Sequence, residues 1–563
     1  MIITHTAFLI INDMKFLHEE IEMKLLSLKT KLLLVITVVL YAIDSIIISI
    51  QIYYNARIIT LAEVGDINAL VLQIVKCCVL LFGEYILVAL ANAIRLLYLS
   101  NGVTDIKNNI MKNIMNLSIK NFKDEKIAYY FNLISTDVEM YRDDFMDSLP
   151  FLVNAISSLL SASYMLGKIH PSFIVMAILT SMLPTIIIKP FAEFMQKCKN
   201  NYSKTSEEYT KVLKENIEAY DTIRFNCCET RFEEKHKRAN IIKQRKWMIY
   251  SLVGKMNFET LMSIAGFSSI ACLGMGGYLV SKSIVEVGML LAAVNYFSMI
   301  SNQLSNISSY VVSIKSTKQI VEKIYEQTDL KPIEEKDISS HIDSNIEYSS
   351  VSFAFDEKQL YDKFSYRFEE RKCYAIVGES GSGKSTLVKL ILKCYDKYEG
   401  IISLGGKDIR KMSERQIYQC IGIVEQRPYI FNESLYENIT LHSGRPKKNS
   451  EEFQELLRKV NLEELARRVG ETPLGDFGDN ISGGERQRIN IARVLNRKPS
   501  VIIFDEPITG LDPENRRLIN EFIFQYKDVT RIVITHNWSQ EYLEQFDGVI
   551  KLGNFDAGRL LNE

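Results

Sequence analysis

The chain has 563 residues, too many for one domain of ordinary size and enough for roughly three or four. Its 67 Lys and Arg against 68 Asp and Glu leave a net charge of −1, so the composition gives no reason to expect a nucleic-acid partner, which a basic excess would attract. With 47% apolar residues, 27 Gly and 11 Pro, it is neither a disordered nor a collagen-like chain.

Residues 1–30 lack the basic start, short apolar core and small-residue cleavage site of a secretory leader. His18–Ser27 reads instead as a short amphipathic helix. Six stretches then stay apolar over about 20 residues, the length that crosses a bilayer: 32–53, 69–91, 148–165, 172–190, 258–279 and 285–311. Short loops join the first to the second, the third to the fourth and the fifth to the sixth. Long polar helical stretches join the others. The long stretches are rich in Lys and Arg, from Lys107 to Arg142 and from Lys197 to Lys246, whereas the short loops carry Arg57, Lys168 and Lys282. By the positive-inside rule the long connections and both termini face the cytoplasm.

Asp44, Lys76 and Glu84 lie within predicted spans, and Arg95 lies near a boundary. Charge at bilayer depth is costly, so these groups face protein or water. Glu84 and Arg95 fall on nearly one helix face, open both to a structural ion pair and to a substrate contact. In the sixth span Asn295, Ser298, Asn302, Ser305, Asn306 and Ser309 share an arc of roughly 100°, with Phe297, Ile300, Leu304 and Val311 opposite. Ser301 and Ser308 fall outside the polar arc. This stripe is expected to line a translocation cavity, with Asp44 adding one negative group; helix packing through Ser and Asn is the competing reading.

Nine cysteines, two pairs of them adjacent, show neither a disulfide framework nor metal-site spacing and are expected to be reduced. The first is Cys77, inside a span, which leaves no thiol for an N-terminal cysteine protease.

From Asn345 onward, short apolar strands alternate with helical segments. Cys373–Val377 is a buried-strand pattern, followed by Gly378-Glu379-Ser380-Gly381-Ser382-Gly383-Lys384-Ser385-Thr386 and then a helix. In that order, strand, loop and helix make a phosphate-binding loop: glycines let backbone N–H groups curl round phosphates, Lys384 supplies a point charge, and Ser385 offers a hydroxyl to Mg²⁺. Val501–Phe504 is a second apolar strand, ending in Asp505 and Glu506. Asp505 is placed to hold the metal shell and Glu506 to act as general base on water. Arg531–Thr535 is a third strand, ending in His536 at the same carboxyl edge. Ser482-Gly483-Gly484-Glu485 opens an apolar helix, an anion-binding arrangement that is weak alone.

Together these motifs resemble the ATP-binding cassette transporters, specifically the six-span, exporter-type half-transporter. The resemblance implies an all-α six-helix transmembrane domain with long cytoplasmic helical extensions over 1–325, a linker over 326–344, and an α/β P-loop NTPase domain of cassette type over 345–563. It implies that Gly378, Ser380, Gly381, Gly383, Lys384, Ser385 and Thr386 form the Walker A loop and that Asp505 is the Walker B aspartate. It further implies that Glu506 is the catalytic carboxylate, His536 the switch histidine, Gln426 the Q-loop glutamine at Mg²⁺, Ser482 to Glu485 the signature, and Asp512 the D-loop aspartate. Phe355 stands where an aromatic, usually Tyr, stacks on adenine. Glu485 replaces a common Gln, and Asp476 replaces a common Glu in a contact with the opposite subunit. No catalytic position is degenerate, which favours a homodimer with two working ATP sites. The implied function is ATP- and Mg²⁺-dependent export of a peptide, lipid or amphipathic small molecule across the cell membrane, with metal-chelate import or an ATP-gated channel or sensor as alternatives. The sequence does not name the cargo.

Overall fold

The computed structural model describes residues 26–124, 127–328, 344–355, 358–475 and 478–553. Most of the helix expected at His18–Ser27, most of the linker and Asp476 lie outside the described residues. The chain divides into two compact units, 1–112 with 128–330, and 113–127 with 331–563.

The first unit is helical among its described residues. α1 spans Leu28–Val64; Ser27 accepts the Thr30 N–H at 3.3 Å at its start, and Gly65 ends it in the left-handed conformation. α2 spans Ile67–Met115, and the short α3, Ile119–Asp124, belongs to the second unit. α4 (Ser148–Ile169), α5 (Pro171–Glu218), α6 (Tyr220–Phe225), α7 (Glu229–Ser281), α8 (Val287–Ser316) and α9 (Lys318–Thr328) follow. α2 has 49 residues and α7 has 53. At 1.5 Å per residue, each is more than twice as long as the roughly 30 Å bilayer core. The polar stretches read as long connections are thus continuations of the spanning helices.

Five of the predicted spans lie within one of these helices and the sixth begins two residues before α8, but only four stretches among the described residues are long and apolar enough to cross a membrane by length and composition: Leu28–Val64, Ile67–Met115, Tyr129–Ile169 and Met262–Ser281. The predicted sixth span is weakened by its own Asn and Ser residues. In the predicted fourth span the side chains from 181 onward are outside the described set.

α8 packs on α4, α1 and α7, and α5 packs along α7. Phe173, Cys272, Tyr296, Phe297 and Ile300 form the apolar centre. Beside it runs a polar seam between α1 and α4. Ser45 Oγ donates to Asn154 Oδ1 at 2.5 Å, Ser158 Oγ donates to Ser45 Oγ at 2.9 Å, and Ser49 and Ser161 hydroxyls lie 2.8 Å apart. Small hydroxyl residues let membrane helices approach closely and bond across the gap. Ahead of α4 two π-helical turns, Leu133–Asp137 and Arg142–Met146, interrupt the regular register. Acids in and beside them are paired: Asp137 with Lys323, Glu139 with Lys107 and Arg142, and Asp147 with Arg95. The Arg95 guanidinium also sits 4.8 Å above the Phe151 ring. Of the two readings left open for Arg95, the interhelical ion pair is the one the structure contains, with Asp147 rather than Glu84 as partner.

In the second unit, β1 (Ile346–Phe355), β2 (Lys358–Phe368), β4 (Glu399–Leu404) and β5 (Lys407–Asp408) form an antiparallel sheet of order β2-β1-β4-β5. β3 (Cys373–Gly378), β6 (Ile421–Val424), β7 (Val501–Asp505), β8 (Thr530–Thr535) and β9 (Gly548–Leu552) form a second sheet of order β6-β7-β8-β3-β9. All of its pairs are parallel. β3 and β8 are buried throughout, as expected of parallel strands covered on both faces.

Candidate functional site

The parallel sheet brings three distant segments to one edge. β3 and β8 run in register from Cys373 with Arg531 to Val377 with Thr535, and Asp505 of β7 pairs with Ile534. Gly378, Asp505 and His536 therefore leave the sheet side by side at its carboxyl end, where open α/β sheets bind ligands.

The phosphate loop closes at α10 (Lys384–Ile391). Gly383 has φ 99°, and a Cβ there would lie 2.6 Å from the Tyr361 hydroxyl, which donates to the Gly383 carbonyl. At Gly378 an added Cβ would come 2.3 Å from the Leu552 carbonyl oxygen. Both positions are closed to any side chain. Lys384 Nζ donates to the carbonyls of Gly378 at 2.8 Å and Glu379 at 2.9 Å. Burial lowers its pKa, against the pull of Glu506 and Asp505. Ser382 Oγ is buried without a hydrogen-bond partner among the described residues. An ammonium folded onto the loop, an orphan hydroxyl and two glycine-only positions are what a loop shaped around phosphates requires. Ser380 and Gly381 are exposed at its tip, and Thr386 is half-buried on the first turn of α10.

Ser385 Oγ donates to Asp505 Oδ1 at 3.4 Å. Burial raises the Asp505 pKa, and the neighbouring Glu506 carboxylate raises it further. Glu506 receives Gln426 Nε2 at 2.7 Å and Thr509 Oγ1 at 3.4 Å, both on Oε2, while His536 Nε2 lies 2.7 Å from Oε1. The carboxylate is thus aimed by three side chains from three loops. Its own backbone has φ 49°, in the left-handed region. Phe355, at the end of β1, is 42% exposed, with Phe353 and Tyr395 set edge-on at 5.0 and 5.1 Å. Its free surface leaves room for a stacked base.

The signature segment caps α12 (Gly483–Asn496). Ser482 Oγ accepts the Glu485 N–H at 3.2 Å, and Glu485 Oε2 accepts the Ser482 N–H at 2.7 Å, a reciprocal capping box. Gly484 lies so close to Asn515 that a Cβ would be 2.3 Å from its side chain. Asp512 caps α13 (Pro513–Gln525), accepting the N–H groups of Glu514 and Asn515 at 3.1 and 3.0 Å.

The structure therefore gathers Gly378 to Thr386, Gln426, Asp505, Glu506 and His536 at one edge. In the membrane unit Asn295, Asn302 and Asn306 are exposed, Ser298 is half-buried 3.3 Å from Ser269, and Asp44 is 5% exposed with Oδ1 unpartnered among the described residues. Asp44 is thus buried, whereas the three asparagines are exposed.

Three residues escaped the sequence reading. Thr509 orients Glu506. Gln487 Nε2 donates to the carbonyls of Glu425 and Gln426 at 3.1 and 3.2 Å, tying the signature helix to the Gln426 segment; a Gln on the apolar side of an amphipathic helix was the available signal. Arg468, 17 residues before Glu485, donates from one Nη2 to both carboxylate oxygens at 2.9 and 3.0 Å, and nothing in the local pattern announces it.

Comparison with known proteins adds independent findings. The model of the ABC transporter transmembrane region matches residues 34–304, and that of the ABC transporter domain matches 361–509. The chain is 27% identical over 455 residues to a putative multidrug export ATP-binding/permease protein of Bacillus subtilis, covering 77% of this chain and 76% of the relative. It is 26% identical over 459 residues to an ATP-dependent lipid A-core flippase of Syntrophus aciditrophicus, covering 78% and 74%. A solved structure of a bacterial Atm1-family ABC exporter with ATP bound superposes with TM-score 0.78 over 93% of both chains at 18% identity, which is a likeness of fold.

Proposed function

The chain belongs to the ATP-binding cassette transporters, as a half-transporter with fused membrane and nucleotide-binding domains, and we propose that two copies of it make the working exporter. It is a multi-pass membrane protein that couples ATP hydrolysis to export. The observation that carries the mechanism is Glu506, held by Gln426 and His536 beside the Asp505–Ser385 pair.

Gly378 to Thr386 cradle the ATP phosphates, and Lys384 turns from the loop carbonyls to the β- and γ-phosphates. Phe355 stacks on adenine. Ser385, Gln426 and Asp505 form an oxygen donor set suited to Mg²⁺, which would neutralise phosphate charge when bound. Glu506 takes the proton of the attacking water, and His536 and Gln426 hold the carboxylate on line. Ser482, Gly483, Gly484 and Glu485 of one copy close the ATP site of the other, with Asp512 at the same seam. ATP then holds two nucleotide-binding domains together, and hydrolysis releases them, biasing a two-state membrane domain.

The Lys and Arg excess in the long connections supports a cytoplasmic position for the termini and the nucleotide-binding domain. The cargo is uncharged or amphipathic, a peptide, lipid or drug-like molecule. The exposed Asn295, Asn302 and Asn306 offer hydrogen bonds without charge, and of two relatives one is named for multidrug export and the other as a lipid A-core flippase. Glu506→Gln tests the chemistry. The variant should bind ATP and lose turnover by at least about 100-fold, because water activation goes while phosphate contacts stay. Hydrolysis at the wild-type rate would remove Glu506 from the role of base.

A further inference from the structure

The signature segment carries a charge that its task does not call for. A group that closes an ATP site from the opposite side meets a polyanion, so a neutral residue or an N–H group belongs there. Glu485 is a carboxylate, its side chain 11% exposed, and locked in place by the capping box with Ser482. Oε2 already accepts the Ser482 N–H, so the carboxylate cannot rotate away without giving up that bond of the capping box. The same two oxygens receive Arg468 Nη2, from α11 (Glu463–Val469).

We propose that Arg468 is a positioning residue of the ATP site completed by the partner copy: its guanidinium offsets the negative field of the ionised Glu485, so that Ser482 and the first turn of α12 can face the partner's γ-phosphate. The proposal rests on the two-copy reading above. Arg468 touches neither ATP nor metal; it acts through Glu485. The hydrogen bonds agree with a Glu485 that stays ionised. Burial pushes its pKa up, but the Ser482 N–H and the Arg468 guanidinium more than offset this and hold it low. The carboxylate thus remains charged near neutral pH; Arg468 is the cation that hydrogen-bonds it, and Arg488, three residues on in the same helix, feels the same charge.

Electrostatic positioning and a plain helix-to-helix tie lead to different results. Arg468→Ala in the full-length dimer should raise the KM for ATP about fivefold, as expected for a half-exposed ion pair, with a smaller change in kcat. The increase should shrink at high salt, where exposed charge is screened. In a Glu485→Gln background the amide oxygen can still accept the Ser482 N–H but no charge is left to cancel. Removing Arg468 there should change KM by less than twofold. An equal KM increase in both backgrounds, or none in the Glu485-containing protein, overturns the proposal. The Arg468→Lys variant guards against misfolding, since an ammonium should restore most of the lost affinity. Failure of the two-copy reading is seen separately: Glu506→Gln would then show no ATP-dependent association of nucleotide-binding domains in the full-length protein, whatever Arg468 does.

Discussion

At the edge of the parallel sheet, the chemistry turns on how two neighbouring acids are treated differently. Glu506 is aimed by Gln426, Thr509 and His536, whereas Asp505 is buried against Ser385. His536→Ala should therefore lower kcat by about 10- to 100-fold with little change in ATP affinity, since it loosens the base without removing it; a matched fall in nucleotide binding would place His536 in binding instead. For Asp505 the raised pKa sets the sign. The protonated carboxyl is the form favoured by the folded metal-free site, so its contribution to stability is present at low pH and lost as pH rises through the folded pKa. Metal binding needs the ionised form. As pH falls through that raised pKa, the Mg²⁺ concentration for half-maximal ATPase should climb, by up to about tenfold per pH unit. A Mg²⁺ requirement that is flat with pH down to the point of unfolding would exclude Asp505 as ligand. Their placement at one edge was readable from the sequence because each residue follows or ends an apolar strand, and parallel strands place their ends together. Thr509 and Arg468 were not, because a side chain that orients another through space leaves no periodic trace.

Among the elements, α8 shows both what pattern can and cannot say. The apolar positions Phe297 and Ile300 are 1% and 6% exposed, and Asn295, Asn302 and Asn306 are exposed, so the helix packs into its own unit with its apolar side. Cysteine placed at Asn295, Asn302 and Asn306, in a background without native thiols, should react with an impermeant thiol reagent and change rate when ATP is trapped. Cysteine at Ile300 should stay silent. Labelling of both faces alike, or of neither, would leave the stripe as a packing surface. Helix lengths were less legible. The spans were bounded where apolar residues stopped, but α2 and α7 continue as helix through polar sequence, since a helix needs no change of backbone to leave the membrane. The two π-helical turns before α4 had no sequence signature and became visible only with the ion pairs of Glu139 and Asp147 around them.

For the whole molecule, the order of membrane segments and cassette motifs was legible because each motif has its own composition and spacing. On the two-copy reading, the far side of the ATP site comes from a second chain. The protein, purified alone in detergent, should run as a dimer and hydrolyse ATP with a Hill coefficient above one; activity that appears only with a second, different half-transporter would refute the homodimer. In inside-out vesicles ATP should drive accumulation of an amphipathic probe, and no accumulation should occur with Glu506→Gln. The family resemblance implies that the Gln426 segment links the ATP site to the membrane domain, and Gln487 is tied to the carbonyls of Glu425 and Gln426. Gln487→Ala should weaken the coupling, so that ATP is hydrolysed at near the normal rate while transport per ATP falls several-fold. Transport and hydrolysis falling in parallel would make Gln487 part of the hydrolytic site instead.

The left-handed backbone at Glu506 has a bearing on the protein's durability. Glutamate is poorly suited to φ 49°, a conformation in which Asn and Gly are at ease, and holding it there costs about 1–3 kcal/mol. The centre of hydrolysis is therefore a place where the fold is kept less stable than its sequence could make it. Two inactive variants should separate on heating, Glu506→Asn melting above Glu506→Gln although both have lost the base. Selection for heat resistance alone, with export unneeded, should then drift toward Asn or Gly at this position and discard the transporter to keep the fold.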